Sequence, residues 1–183
     1  NMIDRNYSEE ERNFFNEDQG VETTVKRPKF LLVLVILSGI NIATSMIGAL
    51  SGMLGSAPDQ AMIKSAKLEF ANMREQLQKA DAEDFIYIID QMQSVTVNMF
   101  KHFQAYNSFQ FLILVLGLTG IVFMYRGKKL GFHFYIIYTL GLVLLPYFFN
   151  PITGIPTLLT IVGIIYGGIW VWLYSRNLHW LKD

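Results

Sequence analysis

Histidine, cysteine and clustered carboxylates are the side chains that most often carry catalysis or bind metal. His102, His133 and His179 fall in separate parts of the chain. No HxxxH or HExxH spacing puts two of them on one helical face, so they do not supply the three converging ligands a metal site needs. Cysteine is absent, which removes disulfides, thiolate ligands and thiol nucleophiles. Asp81, Glu83 and Asp84 form the densest acidic group. Asp81 reads as a helix N-cap, and capping together with the helix dipole accounts for the cluster without a metal. There is no phosphate-cradling glycine loop, GxSxG elbow or convincing catalytic dyad. Gly117 and Gly120 lie inside an apolar run, where small residues serve packing. The expectation is a protein that is not an enzyme and uses no cofactor or metal.

The spacing that stands out concerns packing. Ser38, Asn41, Ser45, Gly48, Gly52 and Gly55 recur at steps of three and four, a small-residue seam along one helical face. Apolar surfaces gain little hydrophobic free energy by meeting in lipid, so close backbone approach drives helix association there. Such a seam serves either packing within the chain, with Gly163, Gly167 and Gly168 as its natural mate, or recognition of a second chain. Asn41 falls near the middle of the same run, and its amide needs a hydrogen-bond partner. Tyr138, Thr160 and Tyr166 lie at comparable depth; a polar lining of a conducting or ligand-binding cavity is the alternative. The apolar runs contain no mid-run carboxylate or basic group, which counts against proton relays, voltage sensing and ion-coupled transport.

These residues must be positioned by the apolar runs themselves. Of the 183 residues, 52% are hydrophobic and 16% charged, and the apolar ones gather into blocks long enough to cross a bilayer. Four spans can be drawn, at residues 30–54, 106–125, 130–148 and 156–174, all free of Asp, Glu, Lys and Arg. Pro146, Asn150, Pro151, Gly154 and Pro156 break the last apolar stretch into a hairpin with its turn at residues 149–155. Residues 1–29 hold seven of the fifteen acids and read as a partly disordered tail, with a capping box at Ser8 and Glu11 and a short helix near 9–16. This acidic stretch and the length of the first block argue against a cleaved signal peptide. Lys26, Arg27 and Lys29, the 126–129 loop, and Arg176 and Lys182 all fall on one side. The 149–155 turn has no Lys or Arg, so both termini are expected to be cytoplasmic, in a plasma or bacterial inner membrane. Trp170, Trp172, Tyr174, Trp180, Tyr125 and Phe132 are expected at the inner headgroup level, and Tyr106, Tyr147 and Phe148 at the outer.

The polar segment 55–105 carries two amphipathic patterns. Met62, Ala66, Phe70, Met73 and Leu77 form one stripe; Phe85, Ile89, Met92, Thr96, Met99 and Phe103 form the other. They predict an outer antiparallel helical hairpin, and the absence of Gly and Pro from 82–116 predicts a second helix running unbroken into span two. The fold class expected is all-α, a four-span integral membrane helical bundle with an extramembrane helical hairpin between spans one and two. The function expected is a non-enzymatic membrane interaction or assembly subunit using the hairpin and the span-one seam. Its partners would be lipid and another membrane protein or a second copy. The alternative is a channel or transporter subunit whose pathway, through Asn41, Thr44 and Ser45, forms on oligomerisation. Equal numbers of acidic and basic residues, fifteen each, give no basic bias of the kind that binds nucleic acid.

Overall fold

The computed structural model describes residues 27–182; the acidic tail and the helix expected near residues 9–16 lie outside them. The described residues form helices α1 (Lys29–Leu54), α2 (Gln60–Lys79), α3 (Ile86–Lys101), α4 (Phe103–Tyr125), α5 (Leu130–Phe149) and α6 (Thr157–Ser175), with no strand among them. Helices α1, α4, α5 and α6 are long and apolar enough to cross a membrane, consistent with a membrane protein. Their outward faces fit that solvent: Ile36, Ile40 and Ile47 of α1 and Ile161, Val162, Ile164 and Ile165 of α6 are all exposed.

The long helices pack in sequence, α1 on α4, α4 on α5 and α5 on α6, while α1 and α6 meet only sparingly. The core therefore lies along α4, where Leu114, Ile121 and Met124 are buried with Leu31, Leu34, Ile42 and Ala49 of α1 and Tyr135 and Tyr138 of α5. Glycine sets the closest approach. A Cβ on Gly120 of α4 would stand 2.9 Å from the Gly131 carbonyl of α5, and one on Gly131 would stand 2.5 Å from the Met124 nitrogen. Two backbones are in direct contact here, which no larger residue allows.

Helix ends follow local chemistry. The Asp59 carboxylate accepts the Met62 N–H at 2.8 Å and starts α2. Helix α2 stops in a Schellman motif: Ala82 N–H donates to the Leu77 carbonyl at 2.9 Å and Asp81 N–H to Gln78 at 3.2 Å. Asp81 occupies the left-handed position of that motif (φ 52°), so it terminates the preceding helix instead of capping the next one. The same motif closes α4. There Gly127 takes φ +80°, and the ring of Trp180 would stand 3.2 Å from any Cβ placed on it. Backbone bonds from Lys129 N–H to the Lys182 carbonyl (2.9 Å) and from Lys182 N–H to Gly127 (2.7 Å) tie the C-terminal segment to this loop.

The expected unbroken helix over 82–125 is instead divided at His102, whose φ −111° and ψ 28° leave the helical region. Glycine and proline play no part. The joint coincides with tertiary contacts: the His102 ring packs 5.8 Å from Phe149, and Gln104 Nε2 donates to the Gly55 carbonyl at 3.3 Å. Helices α2 and α3 pack against each other and are joined by an Arg74–Asp90 ion pair. The half-buried stripe of α2 is Ile63, Ala66, Phe70, Arg74 and Leu77; Met62 and Met73 are exposed, so the seam is rotated from the stripe expected of the sequence. On the facing helix Ile89, Met92, Thr96 and Met99 are half-buried, while Phe85 ahead of it is exposed.

Candidate functional site

The sparse contact between α1 and α6 leaves a cavity of about 450 Å³ bounded by α1, α5 and α6. Leu37, Ser38 and Asn41 face it from α1; Tyr138, Thr139, Leu142 and Pro146 from α5; Leu159, Thr160, Gly163, Tyr166 and Trp170 from α6. Its walls carry no Asp, Glu, Lys, Arg or His. Two features of sequence hold α5 and α6 in this relation. Gly167 lets the methyl of Thr139 sit against the α6 backbone, and Gly163 faces Val143 at 3.6 Å from its missing Cβ. Pro146, inside α5, removes the helical donor to the carbonyl of Leu142.

Hydrogen bonds close both ends. On the side of the α6 C-terminus, Tyr174 Oη donates to Ser38 Oγ at 3.0 Å, a fully buried bond between α6 and α1, and the Tyr135 ring lies 4.6 Å from that of Tyr174. At the opposite end the hydroxyls of Tyr147 and Thr160 are 2.5 Å apart. Helix α3 lies over that end, where Val95 contributes to the lining together with Ile155 and Pro156. Two side chains fix α3 there: Asn98 Nδ2 donates to Asn150 Oδ1 at 3.0 Å, and Gln91 Nε2 donates to the Thr153 carbonyl at 3.0 Å. Asn150 is buried and donates in turn to the Pro146 carbonyl at 2.9 Å.

The six small residues of α1 are separated by the structure. Ser38 and Gly52 are buried and Ser45 is half-buried; Gly52 abuts the amide of Asn107 on α4. Asn41 faces the cavity and has no hydrogen-bond partner among the described residues, so the interhelical bond expected from it to Tyr138, Thr160 or Tyr166 is not made. Gly48 faces open space, with none of the described residues within 4 Å of where a Cβ would stand. Gly55 ends the helix, its N–H bonded to Ser51 at 2.8 Å. The continuous buried stripe of α1 is Leu31, Leu34, Ser38, Ile42, Ala49 and Gly52, and its main mate is α4. Gly163 and Gly167, expected opposite α1, face α5, and Gly168 faces open space. Thr44 turns back to its own helix, donating to the Ile40 carbonyl at 2.8 Å.

Tyr174, expected at the headgroup level, is instead fully buried. Its role was hidden because a tyrosine at a helix end reads as a belt residue unless a partner hydroxyl at another depth is known. The Gly120–Gly131 contact did leave a signal, one glycine on either side of the 126–129 loop. The histidines stay dispersed: His133 and His179 each approach a backbone carbonyl of their own turn, at 3.3 and 3.1 Å. Set beside known proteins, the chain matches no family model, no curated protein and no solved structure.

Proposed function

We propose that this chain is a four-span integral membrane protein with both termini cytoplasmic, acting without catalysis as an interaction or assembly subunit through the α2–α3 hairpin outside the bilayer. One observation supports this above others. The hairpin is anchored on the bundle by Gln91 and Asn98, yet it leaves large apolar side chains uncovered: Met62 at 59% exposure, Leu68 at 62%, Phe85 at 55% and Tyr87 at 61%. In a segment facing water, a fixed platform with this much uncovered apolar surface is what a protein interface requires. The partner on this reading is another membrane protein or a second copy.

The absence of cysteine makes the test clean. Single cysteines at Lys79 and Lys128 in intact membranes should label from the outside and the inside respectively. A photo-reactive side chain at Phe85 or Tyr87 should then give a discrete cross-linked species that the same probe at Lys79 does not. Outside labelling at Lys128 reverses the topology, and probes at both aromatic positions that capture nothing remove the assembly role.

A further inference from the structure

We infer that the cavity between α1, α5 and α6 is a binding site for a single neutral, chain-bearing amphiphile drawn from the surrounding bilayer, its hydroxyl or carbonyl oxygen held by Asn41 and Tyr138. The inference rests on the membrane placement proposed above and is independent of the assembly role.

Size comes first. About 450 Å³ falls within the ~300–1,000 Å³ of small-molecule sites, which combine apolar walls with a few placed polar groups. Position comes next. Asn41 lies twelve residues into α1, ~18 Å along its axis at 1.5 Å per residue, which is mid-bilayer for a helix of 26 residues. Water does not satisfy a carboxamide at that depth, and an unsatisfied one costs several kcal/mol. Neither Asn41 nor the Tyr138 hydroxyl has a hydrogen-bond partner among the described residues, although both line the cavity. Ser38, beside them, is already engaged by Tyr174. An amide that both donates and accepts and a phenol that does the same match a neutral oxygen function. A carboxylate, phosphate or ammonium finds no counter-charge in these walls and is excluded by its desolvation cost.

The route follows from the packing. α1 and α6 are joined by the Tyr174–Ser38 bond near the α6 C-terminus, whereas α3 covers the opposite end. The free path is sideways between α1 and α6, from the hydrocarbon, which suits a ligand whose chain trails into lipid.

Trp170 is a built-in reporter on the wall. The W172F/W180F variant, in phosphatidylcholine vesicles, is titrated with a monoacylglycerol brominated along its chain, and separately with the equivalent brominated fatty acid and brominated phosphatidylcholine. Sodium carbonate extraction of the vesicles reports membrane insertion independently. Expected is saturable quenching by the monoacylglycerol beyond that of phosphatidylcholine at equal mole fraction. Asn41→Leu should weaken it about tenfold, the loss of one hydrogen bond in an apolar site. Gly163→Leu, which fills the cavity, should abolish it. Native mass spectrometry of the unsubstituted protein should show one bound monoacylglycerol, covering the case in which the tryptophan replacements unfold. Quenching that rises with mole fraction identically for all three lipids, or equal binding of the fatty acid at a pH that keeps it ionised, overturns the assignment. So does a dimer in which Trp170 is shielded from every brominated lipid.

Discussion

The α4–α5 contact and the α1–α6 side of the bundle are built from the same kinds of residue, glycine and tyrosine among aliphatics, yet they pack in opposite ways. At α4–α5 the glycines face each other, Gly120 against Gly131, and Tyr138 lays its ring over Gly117 with no room for a methyl group. Across the α1–α6 gap Gly163 and Gly167 of α6 face α5, Gly39 and Gly52 of α1 face α4, Gly48 and Gly168 meet no described residue, and the tyrosines border a cavity. Glycine in an apolar helix therefore means close packing only where a neighbouring helix occupies the space it leaves. Where nothing does, the same residue leaves a surface open to a ligand or partner.

Substitutions that enlarge residues on each side sharpen this contrast. The largest loss is expected for Gly131→Leu, because the atoms in the way are the backbone of α4 and cannot move aside as a side chain does. Overpacking there should cost on the order of 3 kcal/mol, seen as a sharp fall in thermal stability in detergent or failure to accumulate in membranes. Gly52→Leu should cost less, about 1 to 2 kcal/mol, since the Asn107 side chain it meets can turn away. Gly48→Leu, on the same helix, should leave thermal stability unchanged, because none of the described residues stands against it. If it alters the size of the detergent-extracted particle instead, that face is a contact with another chain. The smallest measurable loss is expected for Tyr174→Phe, which removes the hydroxyl bond joining α6 to Ser38 at ~1 kcal/mol. It should also raise accessibility of a single cysteine placed at Asn41 to membrane-permeant thiol reagents.

Much of the architecture was legible because it is written in long, uniform signals. Runs without charge gave four helices, and the Pro146-to-Pro156 cluster gave the turn between α5 and α6. What could not be read depends on which face meets which neighbour. The heptad spacing of Ser38 to Gly55 describes a straight stripe, but the buried line of α1 uses Ile42 and Ala49 where the stripe has Asn41 and Gly48. Methionine misled in the hairpin for a related reason: Met62 and Met73 are apolar but flexible, and the ion-paired Arg74 takes a seam position that hydrophobicity alone assigns elsewhere. The break at His102 was invisible because the contacts that coincide with it, to Phe149 and Gly55, are remote in sequence. The cavity itself is a property of three helices at once, and only the unpartnered depth of Asn41 hinted at it.

One added methyl group on each side tests the contrast most directly. Gly120→Ala and Gly163→Ala make the same chemical change in apolar helices, with the same gain in helix propensity. Beyond the helix itself, the new Cβ stands 2.9 Å from a backbone carbonyl in the first and 3.6 Å from a valine methyl in the second. Thermal unfolding of the two variants in one detergent should show a marked drop in midpoint for Gly120→Ala and an unchanged or slightly raised midpoint for Gly163→Ala. Equal midpoints, or a larger drop for Gly163→Ala, would contradict the assignment of a closed α4–α5 contact and a looser α5–α6 contact beside the cavity.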